Sequence, residues 1–271
     1  MQARKYVKVL IFTGLSWFVH ASRFFWWFSL VGVISVEPLF FPISSWYASL
    51  GEVTFPSVFI PLSADSSQAL LAGDEASPAA RAGMEALRQA MGAFTGACVV
   101  NADVCAPTDS PQYRPRSGVF AAATAWRLLA TSLKVRTALS EGHTSRLVVR
   151  PFRRMDRTRE FRLFIHRRRL TAMSQYCLER HFRRLAGRTG EIWERGLEFA
   201  ARLAPGWPAD TLVADVYLTS DKRLLLVDLN PWGPPTEPLL LRTWERDWET
   251  PAGLRLIPPP IRMTGDVKVS F

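Results

Sequence analysis

TLVADVYLTSDKRLLLVDLN, residues 211–230, is the stretch whose reading decides the fold. Two apolar, β-prone runs flank Thr219, Ser220, Asp221 and Lys222, a polar tetrapeptide suited to a turn, so the stretch predicts an antiparallel hairpin. A turn centred between Ser220 and Asp221 sets Asp215 opposite Leu226 and Asp228 opposite Val213. Successive side chains leave a strand on opposite faces, so Asp215, Asp228 and Asn230 then share one face. Two carboxylates and an amide among leucines and valines are costly to bury without a positive partner. A hard cation such as Mg²⁺ is one such partner and usually brings phosphates with it. Salt bridges to the chain's surplus arginines are the other.

With 271 residues the chain can bury a substantial core in one or two domains. Cys98, Cys105 and Cys177 show no CxxC or zinc-ligand spacing and point to a reduced, cytoplasmic protein. Four scattered histidines leave no transition-metal cluster to propose. The net charge of +10 is uneven: residues 146–188 hold 14 arginines against Asp156, Glu160 and Glu179. That segment must face something anionic or stay solvated. Nucleotide phosphates, RNA and an acidic protein surface all qualify.

Residues 1–41 contain two apolar runs broken by His20 and Arg23, with Lys5 and Lys8 upstream. Together they are long enough to cross a bilayer, and an arginine near the middle costs about 2.5–3.5 kcal/mol, which the surrounding Phe, Leu and Val residues offset. A membrane anchor is one reading of this extension, and absence from the mature protein is another. A secretory signal fits less well, because Arg23 interrupts the apolar region and no small-x-small cleavage site follows.

Beyond the hairpin the chain continues as VDLNPWGPPTEPLLLRTWE, residues 227–245. This run resembles the C-terminal core of the cell division cycle protein 123 family. Other segments agree in order: Ser44-Ser45-Trp46-Tyr47 with Val58-Phe59-Ile60-Pro61-Leu62, then Arg146-Leu147-Val148-Val149-Arg150, Glu160-Phe161-Arg162-Leu163-Phe164-Ile165, and Met173-Ser174-Gln175-Tyr176. The resemblance covers residues 42–248. It implies an α+β, ATP-grasp-like fold of two lobes with mainly antiparallel sheets, holding ATP and Mg²⁺ between them. It also implies an assembly chaperone, linked to the cell cycle, that binds the γ subunit of eukaryotic translation initiation factor 2 so that the trimer can form. Carried over by motif, Asp215, Asp228 and Asn230 hold Mg²⁺, and Arg150, Glu160, Arg162 and Gln175 lie near the nucleotide. No catalytic residue is implied. The expected layout of this monomer is an apolar extension (1–41), an N-terminal lobe (42–140), a C-terminal ATP-grasp lobe (141–250) and an irregular tail (251–271).

The chain also departs from that pattern. In NADVCAPTD, residues 101–109, Ala106, Pro107 and Asp109 are kept, but Asn101 and Thr108 stand where the family has basic residues. Ala130, in Leu128-Leu129-Ala130-Thr131-Ser132, replaces a lysine. In an ATP-grasp fold, lysines from this half reach the triphosphate as point charges. Arg114, Arg116 and Lys134 are the cations available to substitute. The leading reading is a nucleotide-binding assembly chaperone. The alternatives are a carboxylate-amine ligase, disfavoured by the missing cationic clamps, and a degenerate paralogue with weak or no ATP binding. RNA binding through residues 146–188 ranks last, since no RNA-binding motif accompanies the arginines.

The remaining pattern predicts a helix opened by Ser77 and Pro78 and running through Met91, with short strands at 58–62 and 98–100. Residues 159–167 alternate, with Phe161, Leu163 and Ile165 toward the core and Glu160, Arg162, Phe164 and His166 on the other face. Residues 179–203 read as a helix whose stripe is interrupted at 187–190, and 238–248 as a short closing helix.

Overall fold

Two sheets of mainly antiparallel strands organise residues 40–260, which the computed structural model describes. The expected membrane-associated extension lies outside these residues, apart from Phe40 and Phe41. Among the described residues no helix is long and apolar enough to cross a membrane. The first sheet has the order β1-β3-β2, from β1 (Val58–Pro61), β2 (Cys98–Ala102) and β3 (Arg146–Pro151), all antiparallel. Its outer face is covered by α2 (Ala64–Ala72), α3 (Pro78–Gly92), α4 (Ala122–Ala130) and α5 (Leu133–Ser140).

Local chemistry accounts for these helices. Ser77 caps α3 by accepting from the Ala80 amide at 3.1 Å, and Pro78 occupies the first turn, where its missing N–H goes unnoticed. Ala80, Leu87, Ala90 and Met91 are buried from one side of the helix. Gly83 permits the approach of α4: a Cβ there would lie 2.3 Å from the Trp126 ring. The Leu147-Val148-Val149 run of β3 is buried on both sides. Leu147 and Val149 enter the core of the first sheet, whereas Val148 joins that of the second. The boundary expected between residues 140 and 141 therefore precedes a strand that pairs with β1 and β2.

The second sheet has the order β7-β6-β4-β5-β8, from β4 (Glu160–His166), β5 (Arg169–Gln175), β6 (Leu212–Leu218), β7 (Leu224–Asn230) and β8 (Gly253–Arg255). Phe161, Leu163 and Ile165 point into its core as the alternation requires. There they meet Trp46 and Leu50 of α1 (Ile43–Leu50) and Ile192, Phe199 and Leu203 of α7 (Thr189–Leu203). Each such fully buried side chain contributes about 1.5–3 kcal/mol. The other face carries Phe164, Ala172 and Val213 under Leu241, Trp232, Trp244 and Trp248. Between that cluster and the hairpin tip lie the charged residues described below.

Four local expectations are corrected. The hairpin loop holds five residues, Thr219 to Arg223, because Thr219 accepts the Arg223 amide on its hydroxyl (3.0 Å) and donates its own to the Arg223 carbonyl (2.9 Å). Leu218 thus pairs with Leu224 and Val216 with Leu226. The register then shifts again, so Asp215 lies opposite Asp228, not Leu226, and Val213 opposite Asn230, not Asp228. The expected 179–203 helix is split into α6 (Arg183–Ala186) and α7. The closing helix is a single 3₁₀ turn, Leu239–Leu241, followed by Arg242 at φ 68°, and the three tryptophans after Asn230 pack on one another instead. The tail contains β8, parallel to β5, with Gly253 opposite Ala172.

Candidate functional site

Three adjacent strands deliver charge in one row: Arg162 of β4 lies opposite Asp215 of β6, which lies opposite Asp228 of β7. The row depends on the register shift around Val227. Leu224 and Leu226 face the core, and so does Leu229, which uninterrupted alternation would turn away. The extra residue restores Leu229 to the core and turns Asp228 out to face Asp215.

Arg162 grips Asp215 with two parallel bonds, Nε to Oδ1 at 2.7 Å and Nη2 to Oδ2 at 2.8 Å. Its Nη1 donates to the Glu237 carbonyl at 2.8 Å, and the Tyr176 ring lies 5.3 Å away. Asn230 donates its amide to Asp215 Oδ2 at 3.0 Å. Asp215 is therefore compensated. Asp228 is not: it makes no ion pair among the described residues, and its carboxylate accepts only the Leu229 amide, at 3.0 Å. Burial, followed by repulsion from Asp215, pushes its carboxyl up to about 7, against the pull of Arg150.

Arg150 arrives from the end of β3. Its Nη1 donates to the Val227 carbonyl at 2.9 Å and its Nε to Ser57 Oγ at 3.0 Å, while Nη2 is buried without a hydrogen-bond partner among the described residues. On the same side of the first sheet, Asn101 keeps a buried Oδ1 without a hydrogen-bond partner among the described residues. Glu160 is partly buried on the Arg162 side, opposite Tyr217, and burial raises its pKa against the attraction of Arg157 and Arg116. The structure thus brings Arg162, Asp215, Asp228, Asn230, Glu160 and Arg150 together.

Gln175 stands apart from this group. It lies opposite Phe161, on the other side of the sheet from Arg162. Its amide donates to the Cys177 and Arg180 carbonyls and its oxygen accepts the Ile257 amide, so it ties the end of β5 to the C-terminal segment.

Strand alternation also exposes a feature that sequence reasoning left unassigned. Tyr217 lies two residues beyond Asp215 on the same face, about 7 Å along the strand. It lines a groove of about 420 Å³ with Leu225, Phe55, Arg153, Arg154 and Arg159. Arg153 and Arg154 form no ion pair among the described residues. The charge surplus of residues 146–188 was the available signal, but only the β3–β4 loop aims part of it here.

The donor set fits a hard divalent ion in part. Among the described residues no group of three or more His, Cys, Asp or Glu side chains is placed to hold a metal. With Asp215 engaged by Arg162, the fit rests on the uncompensated Asp228 and the Asn230 amide oxygen. Mg²⁺ accepts so few protein ligands because it keeps most of its waters.

Comparison with known proteins places this geometry. Residues 128–251 match the D123 family model. A translation initiation factor eIF2 assembly protein of Danio rerio is 32% identical over 100 residues, 36% of this chain and 28% of that protein. The corresponding protein of Dictyostelium discoideum is 29% identical over 100 residues, 36% of this chain and 26% of its own length. The matches thus span under a third of those relatives. Cdc123 from Schizosaccharomyces pombe superimposes with a TM-score of 0.68 at 24% identity, covering 80% of this chain and 95% of that one.

The fold is α+β with mainly antiparallel sheets, and it is shared with Cdc123. Within that class, residues 128–251 resemble the D123 family.

Proposed function

We propose that this protein is an assembly factor for translation initiation factor 2 that binds its γ subunit and holds Mg·ATP in the cleft carrying Asp228. The observation that carries the nucleotide half of this reading is a pair of facing carboxylates of which only Asp215 is held by a guanidinium, Asp228 being left uncompensated. A divalent ion relieves that imbalance and supplies charge neutralisation for phosphate oxygens. Asp228 and Asn230 would hold it, with Arg162 keeping Asp215 in place behind them. The unpartnered Nη2 of Arg150 is a donor for a phosphate oxygen, and the groove has the size of a small-ligand site. The partner half rests on the likeness to eIF2 assembly proteins over the D123 segment.

Nothing in this role requires turnover. Bound nucleotide would favour the folded, partner-competent state by mass action. Two measurements test the proposal on the full chain. Calorimetric titration with Mg·ATP should show binding that Asp228→Asn abolishes, the substitution removing charge while conserving shape. Immobilised γ subunit should retain the protein at micromolar concentration. No heat of binding overturns the nucleotide half, and no retention overturns the partner half.

A further inference from the structure

Asn101, Thr108 and Ala130 leave the first sheet's side of the cleft short of cations, with Arg114, Arg116 and Lys134 as candidates to replace them. The structure separates the three. Arg114 is turned onto its own loop, donating to the Pro111 carbonyl at 2.9 Å and the Tyr113 carbonyl at 3.2 Å. Arg116 sits in a turn at φ 64° and makes no ion pair with any described residue. Lys134, in the first turn of α5, donates from Nζ to Thr108 Oγ1 at 3.1 Å. Its ammonium is therefore carried to the place where the side chain of residue 108 ends.

Lys134 also remains uncommitted. The adjacent carboxylate of Asp109 accepts from Ser132 Oγ at 2.6 Å and from the Lys134 backbone amide at 3.0 Å, and forms no ion pair with the ammonium. With one contact to a neutral hydroxyl, the ammonium keeps donors to spare. Cys105, on the loop between β2 and Thr108, ties this corner back to β2 through its bridge to Ala102, next to Asn101 on the Arg150 side of the sheet. Its thiol, pushed up to about 11 chiefly by burial, is acted on by both the Lys134 ammonium and the Asp228 carboxylate.

We infer that Lys134 is a phosphate-binding residue of the nucleotide cleft, its ammonium delivered by α5 to the Thr108 position. The inference rests on the nucleotide reading above and deepens it by naming the cation that faces the polyphosphate.

The test is calorimetric titration of the full-length protein with Mg·ATP at two salt concentrations. Lys134→Met should weaken binding roughly 10- to 100-fold, the range for a hydrogen bond to a charged group, and flatten its salt dependence. Moving the amine back, in the double variant Thr108→Lys/Lys134→Met, should restore affinity to within a few-fold of the parent. Since Lys134 is exposed, its variants should melt with the parent, and Lys134→Gln repeats the measurement should the methionine variant not fold. Parent-like affinity and salt dependence in Lys134→Met, with binding still lost in Asp228→Asn, would overturn this inference alone. So would a folded double variant that stays weak. Absence of Mg·ATP binding by the parent overturns the nucleotide reading together with it.

Discussion

Asp228 is the residue at which structure and chemistry are least reconciled within the protein itself. Its carboxyl titrates near 7 in the folded state against an ordinary value of 3.8. Between those values the native state holds a proton that the unfolded chain has released. Stability therefore falls as pH rises through that window, and the full penalty is present above about 7. Asp228→Asn removes the penalty. At pH 8, without divalent ions, that variant should resist urea better than the parent by on the order of 2 kcal/mol, a figure reduced for partial exposure, and the difference should shrink toward pH 4. Equal urea midpoints at pH 8 would mean that a neighbouring group already compensates the charge. Asp215 makes the contrast. Arg162→Met strands it, nearly buried and without its guanidinium, at a loss of about 3–5 kcal/mol in urea unfolding, much of which the pair replacement Arg162→Met/Asp215→Leu should recover.

The decisive element is β7, and within it the residue inserted at Val227. Deleting Val227 restores plain alternation and, if the hairpin tip keeps its pairing, leaves Leu229 in the core and Asp228 opposite Asp215, but it removes the carbonyl that accepts Arg150 Nη1. A buried guanidinium nitrogen that loses its acceptor should cost about 1–3 kcal/mol, read as a lowered denaturant midpoint in circular dichroism. An unchanged midpoint would show that another carbonyl takes the place of the lost one. The bulge also marks the limit of what the sequence discloses. The alternation of residues 160–166 and the existence of the hairpin are legible because burial of one face imposes period two on Phe161, Leu163 and Ile165. The insertion is faintly legible, in a three-residue step from Leu226 to Leu229 where even spacing would be expected. The alternation sets Glu160 and Arg162 beside the hairpin carboxylates if the strands share a sheet, but the choice of Asp215 as the partner of Arg162 needs the β4–β6 register. The three tryptophans that displace the expected closing helix, and the three residues of β8, depend on contacts with distant strands and leave no periodic trace.

At the scale of the whole molecule, the two sheets contribute different halves of the cleft. Arg150 and Lys134 come from the elements of the first, and Asp228 and Asn230 from the second, with Val148 packed where the two meet. The arginine surplus is largely consumed internally: Arg157, Arg162, Arg167, Arg168 and Arg188 each have a carboxylate partner. Arg153 and Arg154 at the groove have none among the described residues, so part of the surplus stays available to a ligand beside Tyr217. A ligand touching both sheets must stabilise them as a unit, because either can open only by releasing it. Mg·ATP at 100 times its dissociation constant should add about 2.7 kcal/mol, raising the thermal midpoint of a chain this size by roughly 5–11 °C in a single transition. Chelating the metal should cancel the shift, and Arg153→Ser/Arg154→Ser should reduce it without altering the midpoint of the free protein. Two separated transitions, with only one moved by nucleotide, would show that the ligand engages one sheet and would break the link between the cleft and the fold.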